Sequence, residues 1–273
     1  SIERAIELNG AAVPMNLAAF RWGRRAAHDL AAVERLIAPP KGKGDNVVAF
    51  TRSAPKTLDE IVASRVKHLT GYQNAALAGR YKALVDRVRA AEQKTGLAGL
   101  AEAVAHNYAK LLAYKDEYEV ARLYADAAFQ ARLGQQFDGD YRLKFHLAPP
   151  LLASRDPRTG QLQKQEFGAW MLPAFRMLAK LKGLRGTAFD LFGYTEERRT
   201  ERRLITDYEA LVAELLAGLS AENHALAVKL ASIPDDIRGY GHVKHAHLEK
   251  AKAKEAGLLH QWRNPEAMKA AAE

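Results

Sequence analysis

Three runs between Thr57 and Gly134 repeat apolar residues at three- and four-residue intervals. That period constrains the fold more than any other feature of the chain, because it places one apolar stripe along each of several helices. In "TLDEIVASRVKHL" the stripe is Ile61, Val62, Val66 and Leu69, and Thr57 with Glu60 three residues on forms a capping box. "GYQNAALAGRYKALVDRVRAAEQKTG" continues it through Leu77, Tyr81, Leu84, Val85 and Val88, up to Gly96. The third run, Leu97–Gly134, carries Leu97, Leu100, Val104, Tyr108, Leu111 and Leu112. Three such helices must bury their stripes against one another, so the expected fold is mainly α, a helical bundle-like domain.

The period changes once. In "YRLKFHLAPP" (Tyr141–Pro150), Tyr141, Leu143, Phe145 and Leu147 alternate with Arg142, Lys144 and His146. That alternation predicts a half-buried strand. The turn signals of "SRDPRTGQ" and a return along "LQKQEF" complete a small antiparallel β-hairpin over about residues 141–167. Beyond it, Ala169–Gly183 reads as a short helix interrupted by Pro173, and Leu184–Tyr194 as an aromatic loop. Thr195 caps a long helix striped by Leu204, Tyr208, Leu211, Leu215 and Leu219. Ser220 is the expected cap of a helix over Ala221–Ile233, and a turn-rich stretch, Pro234–His247, leads to a charged final helix.

Upstream, "SIERAIELNG" predicts a short helix stopped at Asn9-Gly10. Val13–Ile37 predicts a longer one with Pro14 near its start and Leu17, Phe20, Ala27, Leu30 and Val33 on one face. "PPKGKGDN" then marks the best boundary, with "VVAF" (Val47–Phe50) as a short extended run. The expected organisation is a helical segment at 1–38, a linker at 39–56 and a helical domain at 57–273. The 273 residues, 48% hydrophobic and 27% charged, are enough for a real core. No run of about 18 apolar residues exists, so no membrane span is expected, and the N-terminus lacks the pattern of a signal peptide. With no cysteine, the chain has no disulfide, no thiolate nucleophile and no thiolate iron–sulfur ligand. This fits a reducing, cytoplasmic compartment.

A net charge of +9 favours an acidic partner. "ERRTERRL" and "KHAHLEKAKAKEA" alternate in sign, however, as solvated helix faces do. Arg142, Lys144 and His146 share one face of the predicted strand, with Arg155 and Arg158 on its turn. They form the best local basic patch, suited to a phosphate or an acidic protein, or serving only to guard a strand edge. "AYKDEYEVARLY" (Ala113–Tyr124) gathers Tyr114, Lys115, Asp116, Glu117, Glu119 and Arg122, types able to supply an acid, a base and a cation. On a helix, Lys115 faces Glu119 and Glu119 faces Arg122, as surface ion pairs do. Asp116 with Glu119 also reads as a helix start. Of His242, His245 and His247, the first two could converge on a metal, but no acidic or cysteine partner sits at a diagnostic spacing, so exposed histidines are the simpler reading than zinc. No phosphate loop, G-x-S-x-G or H-E-x-x-H is present. "GDN" at 44–46 lacks the glycine and the later Asn-Asn of a thiamine-diphosphate motif.

Five longer words carry a resemblance. They are "IERAIELNGAAVPMNLAAFRWGR" (Ile2–Arg24), "AYKDEYEVARLY", "DYRLKFHLAPPLLASRDPRTG" (Asp140–Gly160), "LKGLRGTAFDLFGYTEERR" (Leu181–Arg199) and "IRGYGHVK" (Ile237–Lys244). Together they resemble the C-terminal part of the fused bacterial indolepyruvate ferredoxin oxidoreductases, within the 2-oxoacid:ferredoxin oxidoreductases. The resemblance implies a parent that oxidatively decarboxylates an arylpyruvate to acyl-CoA with thiamine diphosphate, magnesium and iron–sulfur clusters. It implies that residues 1–38 are the tail of a gamma-type catalytic domain, and that the rest is an accessory C-terminal domain. None of the family's cofactor-binding residues maps onto this chain, so no cofactor is expected in it and no turnover from it alone. The implied partners are other domains or subunits of the parent and, through the basic face, an acidic ferredoxin. A free-standing basic module for nucleic acid is the alternative.

Overall fold

The computed structural model describes residues 2–37, 57–137, 139, 142–147, 163 and 165–265. The chain divides into two compact units, Ser1–Ser53 and Ala54–Glu273. The linker at 39–56 and the run Val47–Phe50 lie outside the described residues.

In the first unit, α1 spans Ile2–Asn9, α2 Val13–His28 and α3 Leu30–Ile37. Gly10, at φ +72°, ends α1 as its sequence predicts. The single helix expected over Val13–Ile37 is two. Asp29 leaves the helical conformation, and its side chain accepts the Ala32 N–H at 2.9 Å, starting α3. Arg21 bridges α2 to α1 through both oxygens of Glu3, at 3.3 and 2.9 Å.

The second unit begins with α4 (Leu58–Tyr72), α5 (Ala75–Gln93) and α6 (Leu100–Leu112). The capping box at Thr57 is formed, with Thr57 N–H donating to Glu60 at 2.9 Å and Glu60 N–H to Thr57 at 3.3 Å. Asn74 separates α4 from α5 by accepting the Leu77 N–H, so the second helix starts later than its apolar period implies. The run Leu97–Gly134, read as one helical stretch, is three helices. After α6 come α7 (Glu117–Ala125), capped by Asp116, and α8 (Ala127–Gln136), capped by Asp126. In each case a short acidic side chain offers the backbone an alternative to continuing the helix.

The hairpin is present. β1 (Lys144–Leu147) pairs antiparallel with β2 (Gln165–Gly168), in the register Phe145 to Phe167 and His146 to Glu166. Next, α9 covers Met171–Lys180, followed by a 3₁₀ turn at Leu181–Leu184. Pro173 does not interrupt α9. It is the third residue of the helix, where its missing N–H has no intrahelical partner to lose. α10 (Glu196–Gly218) is capped by Thr195, as expected. Asn223, not Ser220, precedes α11, which is shorter than predicted (His224–Ala231) and gives way to a 3₁₀ turn at Ile233–Asp236. α12 runs from Gly241 to Arg263. Twelve α-helices and one two-stranded sheet among the described residues make this a mainly α fold with a small hairpin.

Two apolar clusters organise the unit. The larger joins α4, α5, α6, α10, α11 and α12. Through it runs a stack of tyrosines, Tyr81 on Tyr108 at 6.0 Å and Tyr108 on Tyr208 at 6.1 Å. Their hydroxyls find Ala105 O, Glu209 and Ala231 O, so the rings are buried without stranding a polar atom. The smaller cluster packs Ala121 of α7, Phe145 of β1 and Phe175 of α9, with Tyr124 stacked on Phe175 at 5.4 Å. The hairpin thus leans on two helices, which a lone pair of strands requires.

Candidate functional site

Between the two clusters lies a buried ion-pair hub. Asp116 caps α7 by accepting the Glu119 N–H at 2.8 Å, and it is 3% exposed. Facing it is Arg185, 5% exposed, from the turn after α9. The guanidinium forks onto both Asp116 oxygens, with Nη2 at 3.0 Å, and Nη1 donates to Tyr72 O at 2.8 Å. It also lies 3.6 Å over the Tyr72 ring. Tyr72 in turn donates its hydroxyl to Tyr114 O at 2.9 Å. A planar fork meeting a carboxylate and an aromatic face is a role for which lysine is no substitute.

The other members of the tyrosine–carboxylate word radiate from this pair. Tyr118 donates to Asp190 at 3.2 Å, and the second oxygen of Asp190 accepts the Gly186 N–H at 2.8 Å. Glu119 is clasped by Arg122 through two 2.7 Å bonds and approached by His68 at 3.6 Å. Burial alone would raise the Glu119 carboxyl, but the bonds from Arg122 and His68 outweigh it and hold it at about 2. Glu117 has the opposite fate. Burial pushes it up despite Arg198 at 3.5 Å, and its Oε2 is buried with no partner among the described residues.

These placements correct part of the surface reading. The Glu119–Arg122 pair forms as spaced, but Asp116 and Glu119 are buried. Lys115 precedes the α7 cap and does not face Glu119. Its ammonium sits 4.5 Å over the Tyr240 ring. Three of the sequence words therefore meet here: Ala113–Tyr124, Leu181–Arg199 through Arg185 and Arg198, and Ile237–Lys244 through Tyr240.

The basic strand face is only partly described. Arg142, Lys144 and His146 are exposed. Lys144 is met by Glu166 at 2.8 Å across the hairpin, and His146 lies opposite Glu166 in register. Arg155 and Arg158 lie outside the described residues. Of the histidines near α12, His245 lies 3.6 Å from Glu249 and His247 binds Arg238 O at 2.8 Å, while the His242 side chain is outside the described set. No group of three or more possible metal ligands occurs among the described residues.

Two features escaped the sequence because their parts are distant in the chain. At the start of α6, Glu92 accepts the N–H groups of Leu100 and Ala101 at 2.5 and 2.9 Å and contacts buried His224 at 2.7 Å. It supplies the cap that Gly99 lacks. A cleft of about 710 Å³ opens between α4, α6 and the turn after α11. Its Arg65 and Lys110 are balanced by Glu102 and Asp235. Burial lowers the Lys110 ammonium, which donates to Pro234 O at 2.6 Å.

A helical unit fastened by a buried carboxylate–guanidinium hub is the class that fold and site define. The chain belongs to DUF6537, a family of unknown function, which matches residues 58–257. No curated protein and no solved structure matches it.

Proposed function

We propose that this chain is an accessory domain of a 2-oxoacid:ferredoxin oxidoreductase of the indolepyruvate type. In this reading it is a cytoplasmic packing and docking body whose cationic surface meets an acidic ferredoxin. The observation that carries the proposal is the convergence at Asp116–Arg185. Three words that resemble this family are widely separated in the chain, yet their charged and aromatic side chains hold one another. A buried pair of this kind fixes a unique arrangement, and it leaves both Asp116 and Arg185 saturated by internal bonds. That suits a scaffold better than an acid–base site. The parent's cofactors do not fit this chain: it has no cysteine for an iron–sulfur cluster and no thiamine motif. No chemical step is therefore assigned to it.

The charge pattern also favours a protein partner over nucleic acid. Three cations of α12 pair with acids of neighbouring elements, Lys244 with Glu201, Lys254 with Asp236 and Arg263 with Glu214, and so are not free to reach phosphates. No helix among the described residues is long and apolar enough to cross a membrane. The test is titration of the chain with purified ferredoxin at low and high salt. The expected result is binding that weakens as ionic strength rises. Binding indifferent to salt, or a tighter complex with DNA or RNA at moderate salt, counts against the proposal.

A further inference from the structure

The exposed apolar side chains of the second unit are concentrated in one segment of the chain. Among the described residues, six of its eleven exposed large apolar side chains fall between Trp170 and Tyr194. α9 is apolar on two sides. Met171, Leu172, Phe175 and Leu178 face the small core. Trp170 (67% exposed), Pro173, Ala174, Met177 (69%) and Leu181 recur at helical spacing on the side turned to solvent. A helix apolar on both faces is normally covered on both.

The loop that follows also carries exposed apolar groups, and it is pinned. Asp190 is buried beneath it, holding Gly186 N–H and the Tyr118 hydroxyl. Tyr194 donates to Ala188 O and Arg202 to Gly193 O, both at 2.7 Å. Gly193 admits no side chain, since a Cβ there would lie 2.6 Å from the Asp190 carboxylate. On either side of Asp190, Phe189 (76% exposed) and Leu191 (75%) project outward. Large apolar groups held out by a fixed loop lose little entropy on contact, as a preorganised interface requires.

The charges name the partner. From Ala169 to Tyr194 the only acidic residue is Asp190, which is buried. Arg176 and Lys180 are exposed on α9, and neither has a carboxylate partner among the described residues. We infer that the segment from Trp170 to Tyr194, and not the β1 face, docks an acidic protein that presents apolar side chains inside a ring of carboxylates. This rests on the reading above, in which that protein is the ferredoxin. A second copy would bring like charges together, which disfavours self-association through this segment.

The experiment compares ferredoxin affinity for the unaltered chain, M177S/F189S, R176E/K180E and K144E, each checked by thermal melting. All these side chains are exposed, so the fold is retained. The expected result is at least a tenfold loss for M177S/F189S and for R176E/K180E, with K144E within twofold of the parent. Loss confined to K144E overturns this inference and leaves the proposed function standing. No ferredoxin binding by any form sinks both. Binding to vesicles containing 30% anionic lipid, or dimerisation in sedimentation, abolished by M177S/F189S while ferredoxin affinity is unchanged, assigns the segment elsewhere and overturns the inference.

Discussion

Asp116 shows how one side chain serves two levels of structure. Its carboxylate ends the competition between α6 and α7 by capping the latter, and it neutralises a guanidinium that is otherwise sealed from water. Truncating it leaves a buried cation without compensation, so Asp116→Ala is expected to cost about 3–5 kcal/mol in urea unfolding. Arg185→Lys should recover little of that stability, because an ammonium offers neither the fork nor the stacking face. The two neighbouring glutamates behave oppositely with pH. Glu119 is held near 2, below its ordinary 4.5, so its contribution is present above about 4.5 and is lost as pH falls through 2. That contribution is at most about 3 kcal/mol, and Glu119→Gln should remove the corresponding part of the acid sensitivity. Glu117, raised by burial, contributes with the reverse sign, being less favourable as pH rises through its folded value. Glu117→Gln should therefore cost less than Glu119→Gln at neutral pH, which paired chemical denaturation curves will check.

At the scale of elements, caps decide where helices divide. Asp126 accepts the Ala128 and Phe129 N–H groups, and Asp126→Ala should cost about 1 kcal/mol, read as a shift in the denaturation midpoint. Gly193→Ala should be worse tolerated than an average surface change, because the added methyl meets the carboxylate that anchors its own loop. The capping box at Thr57 and the cap at Thr195 were legible because each stands before an apolar stripe and follows a stretch of sequence with no helical period. Asn74 and Asp126 were not, since the apolar period runs on across them and masks the change of axis. Alternation through Leu143, Phe145 and Leu147 disclosed the hairpin, and Phe145 indeed enters the small core. The hub itself was half legible. Asp116 read as a helix start, but its partner Arg185 is 69 residues away in an irregular stretch where no period gives the direction of a side chain. The contact of Glu92 with His224 was hidden for the same reason, since the two are 132 residues apart.

At the scale of the second unit, ion pairs fasten the long helices to one another. Ion pairs tie α10 to α12 and α5 to α10, the last through Arg80 and Glu209 at 2.7 Å. The segment from Trp170 to Tyr194 combines exposed apolar groups with Arg176 and Lys180, which have no carboxylate partner among the described residues. The proposed role is that of a scaffold that fixes its own geometry and offers one acid-seeking segment. It is tested most directly in the oxidoreductase proposed as the parent, by comparing arylpyruvate-driven reduction of ferredoxin with reduction of a small viologen acceptor in the M177S/F189S form. The expected result is a raised KM for ferredoxin with viologen reduction unchanged. Equal loss with both acceptors, or no change with either, would contradict it.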